Sequence, residues 1–509
     1  MPNAFRALVV VTGLFSLNAT VSAQVHYNKD GRPWKVKTRR GPDADAGGWY
    51  YNLGVTGIRA ILSEEQPTRL LVKYVFPESP AAGRVEAGDF IVAANGKDFA
   101  TPHRNGYNVR VFGGHGPMRD FGRALDASQG AKLGGTLNLG ILRDGKRSVV
   151  KLDVGTTYGS FGETFPADCA KSKRIRKELC DYVASKQRSN GSWGSPHTDT
   201  FAALALLSSG DDKYTSVLDK AARFHAKTTR AKDDSWLINW RYMAAGIVLS
   251  EYYFRFGHQW VLPELQEIYT FLCSTQYTDP SQVAESAKKR KLPRRKGQAH
   301  GGWGHNPGFE GYGPIAMITA QGALTFSLLD RAGIDVDRKR LDIAYSFLAR
   351  GTGRNGYLWY ADESARHDRW ADMGRTGASA IANYLNPQGD AALNRAAIAH
   401  ARAIGDHPET LPDTHGSPLM GMGYTALGAH VDAASFRRMM DKNRWWFTLA
   451  QCTDGTFYYQ PNRDNNPSDF TNGSSRLAAS AAVALIFSLP QRKLQVTGAK
   501  KPVKKASEK

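Results

Sequence analysis

From Asp168 onward, apolar residues recur at a spacing of about 3.6 in twelve segments. In order they run approximately over 171–187, 199–209, 213–228, 236–256, 262–275, 314–332, 338–350, 374–385, 389–404, 417–430, 433–450 and 473–488. The even-numbered segments, exemplified by Phe201-Ala202-Ala203-Leu204-Ala205-Leu206-Leu207, are rich in Ala and Leu and poor in charge, as expected for helices buried on several sides. The odd-numbered ones, such as Lys213 to Lys227, carry one apolar and one charged face. An inner ring of the apolar helices inside an outer ring of the amphipathic ones buries both kinds of surface. The fold class predicted for 168–490 is therefore an all-α (α/α)6 toroid.

Between about Tyr50 and Val154 the pattern changes to short β-rich runs at Leu70–Phe76, Asp89–Ala94, Thr136–Leu142 and Ser148–Val154. Asp144-Gly145 between the last two is a hairpin signal. This predicts a small, mainly-β domain over 48–155, ended by a Gly-, Thr- and Ser-rich linker at 156–167.

Internal repetition supports ring closure. Gln187-Arg188-Ser189-Asn190-Gly191-Ser192-Trp193 has the same Gln-x-x-x-Gly-x-aromatic spacing as Gln451-Cys452-Thr453-Asp454-Gly455-Thr456-Phe457. Gln276 and Gly301-Gly302-Trp303 look like the same unit split by a basic insertion. These units resemble the repeats of squalene cyclases and the terpenoid cyclase/prenyltransferase-like toroids. That resemblance implies glutamines that tie helix ends and aromatics that stack between hairpins. It does not imply terpene chemistry. Alkene protonation in that family needs an Asp-x-Asp-Asp motif, and Asp335-Val336-Asp337-Arg338 lacks its last acid. A prenyltransferase zinc site needs Asp, Cys and His, and neither Cys273 nor Cys452 has such a setting. No His, Cys or carboxylate pair has helical metal-ligand spacing, so no metal or cofactor is expected unless separate loops supply ligands.

In the β region, Ser79-Pro80-Ala81-Ala82-Gly83, Val85-Glu86-Ala87-Gly88-Asp89-Phe90-Ile91 and Asn95-Gly96-Lys97 resemble a PDZ domain of the bacterial type. The resemblance implies that Leu53, Gly54 and Val55 form a carboxylate-binding loop that captures a peptide C-terminus by strand addition. Thr56-Gly57 follows at once, and the glycines also fit a tight turn. The combination of PDZ module and toroid resembles a family of exported bacterial proteins with no assigned activity.

At 509 residues, two domains are the natural division. Residues 1–23 carry Arg6, an apolar run from Ala7 to Leu17 and Val21-Ser22-Ala23, the layout of a cleaved secretory signal. This predicts a periplasmic or extracellular protein, with 24–47 as an N-terminal extension and no transmembrane segment. Four cysteines at 169, 180, 273 and 452 leave three disulfide connectivities open. A net charge of +20 favours acidic partners, with basic blocks at Lys288–Lys296 and in 491–509, expected as a disordered tail. No nucleic-acid-binding motif accompanies it.

In such a ring the inner helices start on one rim, where their N-termini favour an anion. Residues at those starts are Asp199, Trp240, Arg241, His305, Tyr312, Arg375, Thr376, His415, Ser417, Ser475 and Arg476. His305, Tyr312, Arg375 and His415 are the catalytic candidates: imidazoles and a phenol to move protons, and a guanidinium to hold a carboxylate or sulfate. Asp199, Trp240, Arg241, His300 and Trp303 are the ligand-binding candidates. Two functions follow. The sequence favours an exported binding or scaffold protein whose toroid holds a central, acidic ligand. The alternative is an enzyme, a lyase or hydrolase, acting on an acidic polysaccharide.

Overall fold

The structure, a computed structural model, describes residues 50–62, 65–103, 116–229, 237–288, 293, 297–311, 313–363, 372–412, 418–461 and 475–499. The N-terminal module is a seven-stranded antiparallel sheet. Its strands are β1 (Tyr51–Asn52), β2 (Ile58–Leu62), β3 (Leu70–Val75), β4 (Phe90–Ala94), β5 (Lys97–Asp98), β6 (Thr136–Arg143) and β7 (Lys146–Asp153), in the order β1-β2-β3-β4-β6-β7 with β5 paired to β4. Asp144 and Gly145 both have positive φ, 50° and 77°, the turn whose twist matches the flanking strands. The periodicity missed the short β1, β2 and β5 and the helix α1 (Pro117–Gln129).

The helical body begins with α2 (Ala170–Ser185), α3 (Pro196–Ser209), α4 (Thr215–Thr229), α5 (Ile238–Phe256) and α6 (Val261–Thr275). A short α7 (Glu285–Lys288) precedes α8 (Ala316–Ala332), α9 (Arg338–Gly351), α10 (Gly374–Tyr384), α11 (Ala391–Asp406) and α12 (Pro418–Ala429). The last are α13 (Ala433–Lys442), α14 (Arg444–Ala450) and α15 (Ser475–Ser488). Helix α3 packs on α5, α5 on α8, α8 on α10, α10 on α12, α12 on α15, and α15 back on α3. That is a closed inner ring of the six Ala- and Leu-rich helices. Helices α2, α4, α6, α9, α11 and α13 lie outside it. One expected helix, 433–450, is broken in two at Asn443, whose side chain donates to the carbonyls of Pro408 (2.6 Å) and Met439 (2.8 Å). Asp337, in the string weighed against a cyclase acid, caps α9 by accepting from Lys339 N at 2.9 Å.

The repeated motif holds the ring together through a recurring set of bonds. Gln187 Nε2 donates to Gly191 O (3.0 Å) and to Val217 O of the next outer helix (2.8 Å). Gln276 Nε2 does the same to Gly301 O (2.9 Å) and Arg340 O (3.0 Å). The indoles of Trp193 and Trp303 donate to Val183 O (2.8 Å) and Leu272 O (2.9 Å), capping their own outer helices. The motif glycines Gly191 and Gly301, and Gly356 in the turn after α9, have φ of 93°, 89° and 81°, and a Cβ on any of them would run into the carbonyl oxygen of Lys220, Ile343 or Ala399. Only glycine satisfies both conditions.

The ring's interior is filled. Phe201 of α3 reaches across to Tyr424 of α12, ring centroids 5.4 Å apart, and the Tyr424 hydroxyl donates to Gln321 of α8 at 3.3 Å. At the C-terminal mouth, residues after α15 form a strap, so 491–499 are ordered and docked where a disordered tail was expected. Lys493 Nζ donates to Ser209 O of α3 (2.7 Å), and Arg331 of α8 donates to the Gln495 side chain (3.0 Å). The buried Glu251 carboxylate of α5 accepts the Gln495 and Val496 N–H groups at 3.0 and 2.8 Å. The strap also borders a small cavity lined by Ile381, Tyr384, His430, Val431, Arg492 and Val496.

The sheet module is fused to the sixth hairpin. The Gln460 amide pairs with both backbone groups of Asn52, at 2.9 and 2.8 Å, like one residue of an added strand. Asn52 Nδ2 reaches Leu449 O (2.6 Å) and Gln451 O (3.0 Å). Arg59, 0% exposed, lies over the Tyr458 ring at 4.1 Å. These contacts correct the expectation for Leu53, Gly54 and Val55. They are buried, Gly54–Thr56 forms a 3-10 turn beneath α14, and a Cβ on Gly54 would meet Thr448 O at 2.8 Å. The stretch expected as a linker is also docked: Phe161 is buried and its N–H donates to Asp126 of α1 at 3.1 Å. All four cysteines are unpaired thiols. Residues 1–49, most of the basic block Lys288–Lys296 and the last ten residues lie outside the described residues.

Candidate functional site

The rim is built from the first turns of the inner helices and the loops that lead into them. Asp199 stands in the first turn of α3, buried, and accepts from the Trp193 N–H and from Ser192 Oγ at 2.9 Å. Its equivalents on other inner helices do the same work: Thr319 Oγ1 accepts from Trp303 N (3.1 Å), Thr376 Oγ1 from Leu358 N (3.1 Å) and Ser480 Oγ from Phe457 N (3.0 Å). Asp199 is thus placed as the anchor of a repeat turn. Burial pushes its pKa up to about 6.

Arg375 is buried at the start of α10. Its guanidinium donates to Leu358 O (2.8 Å), Asp372 Oδ2 (2.6 Å) and the Tyr357 hydroxyl (2.6 Å). Burial opposes the charge, and Asp372 and Tyr357 more than restore it. The pairing with Asp372 occupies the geometry that a ligand carboxylate would need. Trp303, 0% exposed, has no face to offer a sugar. His300 sits beside the end of α9, where its carbonyl accepts from Arg350 at 2.7 Å. Tyr312, His415 and Ser417 lie outside the described residues.

One corner does gather proton-handling groups. Asn306 stands after His305 in the loop leading to α8, and its side chain accepts from Leu237 N at 2.8 Å. Asn239 Nδ2 in turn donates to Gly304 O (2.9 Å) and Asn306 O (3.1 Å), so the loop is stapled to the start of α5. This fixes His305 beside Trp240, whose indole N–H donates to His305 Nδ1 at 2.8 Å. His197 from α3 meets the same indole edge-on, centroids 4.8 Å apart. Burial pulls the His197 pKa down to about 4, with His305 adding to the fall. Burial also lowers that of His305, against the pull of the Glu310 carboxylate. Arg241 follows Trp240, half-buried, on α5.

The sequence reading placed Trp240 and His305 on this rim and missed His197, Asn306 and Glu310. Ser195-Pro196, an N-cap followed by proline in the first turn, would have started α3 early enough to include His197. Among the described residues no group of three His, Cys, Asp or Glu side chains is placed to hold a metal ion, and no helix is long and apolar enough to cross a membrane.

Residues 172–498 match the family described as a domain of unknown function, DUF6288. The chain belongs to this family. The DUF6288 region runs from α2 to the strap, so it takes in the whole ring and omits the sheet module. A comparison with curated protein sequences finds no match. Among solved structures, similarity is found to an inactive variant of the α-1,6-mannanase GH76A of Salegentibacter sp. HEL1_6 in complex with α-1,6-mannotriose. Identity is 13% and the TM-score 0.45, over 62% of this chain and 97% of that one. A GH76 α-mannanase of Bacteroides thetaiotaomicron follows at 12% and 0.44, over 62% and 94%. Cellobiose 2-epimerase from Bacillus thermoamylovorans B4167 gives 12% and 0.42, over 62% and 98%. Similarity this distant assigns no role to any residue of the DUF6288 chain.

Proposed function

We propose that the toroid is an exported enzyme acting on a carbohydrate, an acidic glycan by the charge of the chain, at the rim corner of His197, Trp240, His305 and Glu310. The observation that carries this reading is the meeting of two imidazoles on one indole, with a carboxylate in electrostatic reach of His305. Imidazoles whose pKa is lowered are neutral at pH 7 and suited to proton transfer or to donation toward a substrate oxygen. A net charge of +20 favours an acidic polymer. Tyr360, 43% exposed, has its ring beneath the Arg375 guanidinium at 6.0 Å. Tyr312 and His415, candidates from the sequence alone, are further contributors in this reading. The sheet module, PDZ-like in its motifs, serves as a brace for the sixth hairpin.

The test is product formation from a panel of acidic polysaccharides by the mature chain, beside His197→Ala and His305→Ala. Elimination products or shortened oligosaccharides from the wild type, lost in both variants, support the proposal. A scaffold reading gains from the filled ring interior, and it would take over if saturable binding occurred with no product at any pH tried.

A further inference from the structure

The Trp240–His305 bond constrains more than position. An indole nitrogen carries a hydrogen and no accessible lone pair, so it only donates. His305 Nδ1, 2.8 Å away, is the acceptor. A neutral imidazole carries one proton, which then sits on Nε2. Protonating Nδ1 would set two N–H groups against each other across that distance. The indole cannot swing aside: Trp240 is 5% exposed, His197 lies edge-on to it, and Asn239 and Asn306 staple the two segments together.

We propose that Trp240 is a positioning residue that holds His305 as the neutral imidazole with its proton on Nε2, so that His305 acts through Nε2 as a hydrogen-bond donor and not as a general base. This deepens the reading of the rim as a glycan site and rests on it for its use. Among the described residues, the charged and titratable neighbours are His197 on α3, Glu310 on the His305 loop and Arg241 next to Trp240 on α5. Glu310 favours the imidazolium; burial and the indole oppose it. A donor at this position suits a carboxylate or ring oxygen, the atoms an acidic sugar presents. Proton abstraction then falls to another group, and His197, on the same indole, is a described imidazole in electrostatic reach of His305.

The test is imidazole nitrogen NMR of the ligand-free, full mature chain, with His305 assigned by its missing signals in His305→Gln. The expected result is a protonated Nε2 and an unprotonated Nδ1 at pH 7. In Trp240→Phe the His305 titration should move up by about one unit, the equivalent of one neutral hydrogen bond. A proton on Nδ1 in the wild type, or a titration unmoved in Trp240→Phe, overturns the proposal. If Trp240→Phe does not fold, the Trp240 indole N–H of the wild type decides: its resonance must move in His305→Gln, and an unmoved one overturns it. None of these readouts needs turnover, so failure of the enzyme reading and failure of the tautomer assignment remain distinguishable.

Discussion

Replacing Asp199 by Ala removes the acceptor of a buried N–H, that of Trp193, and of the Ser192 hydroxyl. Leaving them unsatisfied costs about 1–3 kcal/mol per group. Asp199→Thr supplies the residue that stands at the same place in α8 and α10, and should recover most of the loss. The two variants separate further with pH. Asp199 has a pKa of about 6 in the fold against 3.8 for an unperturbed aspartate, so the folded state binds the extra proton between those values. Stability from this group is therefore full below about pH 4 and lost as pH rises through 6, by about 3 kcal/mol. Thr carries no such proton. Urea unfolding at pH 4 and pH 7 should show the Thr variant gaining on the wild type by up to that amount at the higher pH. The reasoning fails if Asp199→Thr is as unstable as Asp199→Ala, or if the difference from wild type is the same at both pH values. A folded Asp199→Thr that has lost ligand binding would return Asp199 to the site.

Three further predictions follow from the ring's construction. Gly301→Ala should lose at least about 2 kcal/mol in thermal unfolding, because φ is 89° and its Cβ meets Ile343 O, whereas Gly333→Ala after α8, with open space around it, should lose only about 1. Glu251→Ala leaves the Gln495 and Val496 N–H groups without an acceptor, so their hydrogen exchange should speed up and the midpoint should drop; unchanged exchange would show the strap held by other contacts. Asn52→Ala should lower the melting temperature of sheet and ring together in a single transition, since the Asn52 side chain bridges them; separate melting of the two would contradict a fused junction.

The inner and outer helices were legible because burial on several sides and burial on one side leave different periodicities, as Phe201–Leu207 and Lys213–Lys227 show. The motif glutamines and tryptophans were legible as spacing. Their partners were not, because Val217 O and Arg340 O are backbone atoms with no side-chain signature. The same limit explains Asp199, read as a ligand group because nothing in one sequence aligns it with Thr319 and Ser480. Arg375 was legible as a rim charge, and its partner Asp372 was three residues away. The peptide loop misled because a Gly-rich turn looks alike whether open or covered; α14, which covers it, is distant in sequence and was read as the end of α13. His197 and Glu310 were missed since only folding brings them to Trp240 and His305.

The central claim is that the corner of His197, Trp240 and His305 meets the ligand. The most direct measurement is the Trp240 indole N–H resonance during titration with acidic oligosaccharides, in the wild type and in His305→Ala. The account predicts a saturable shift in the wild type at the same concentrations that give product, and loss of both in the variant. Turnover or tight binding that leaves this resonance unmoved, or that survives in His305→Ala, would contradict it.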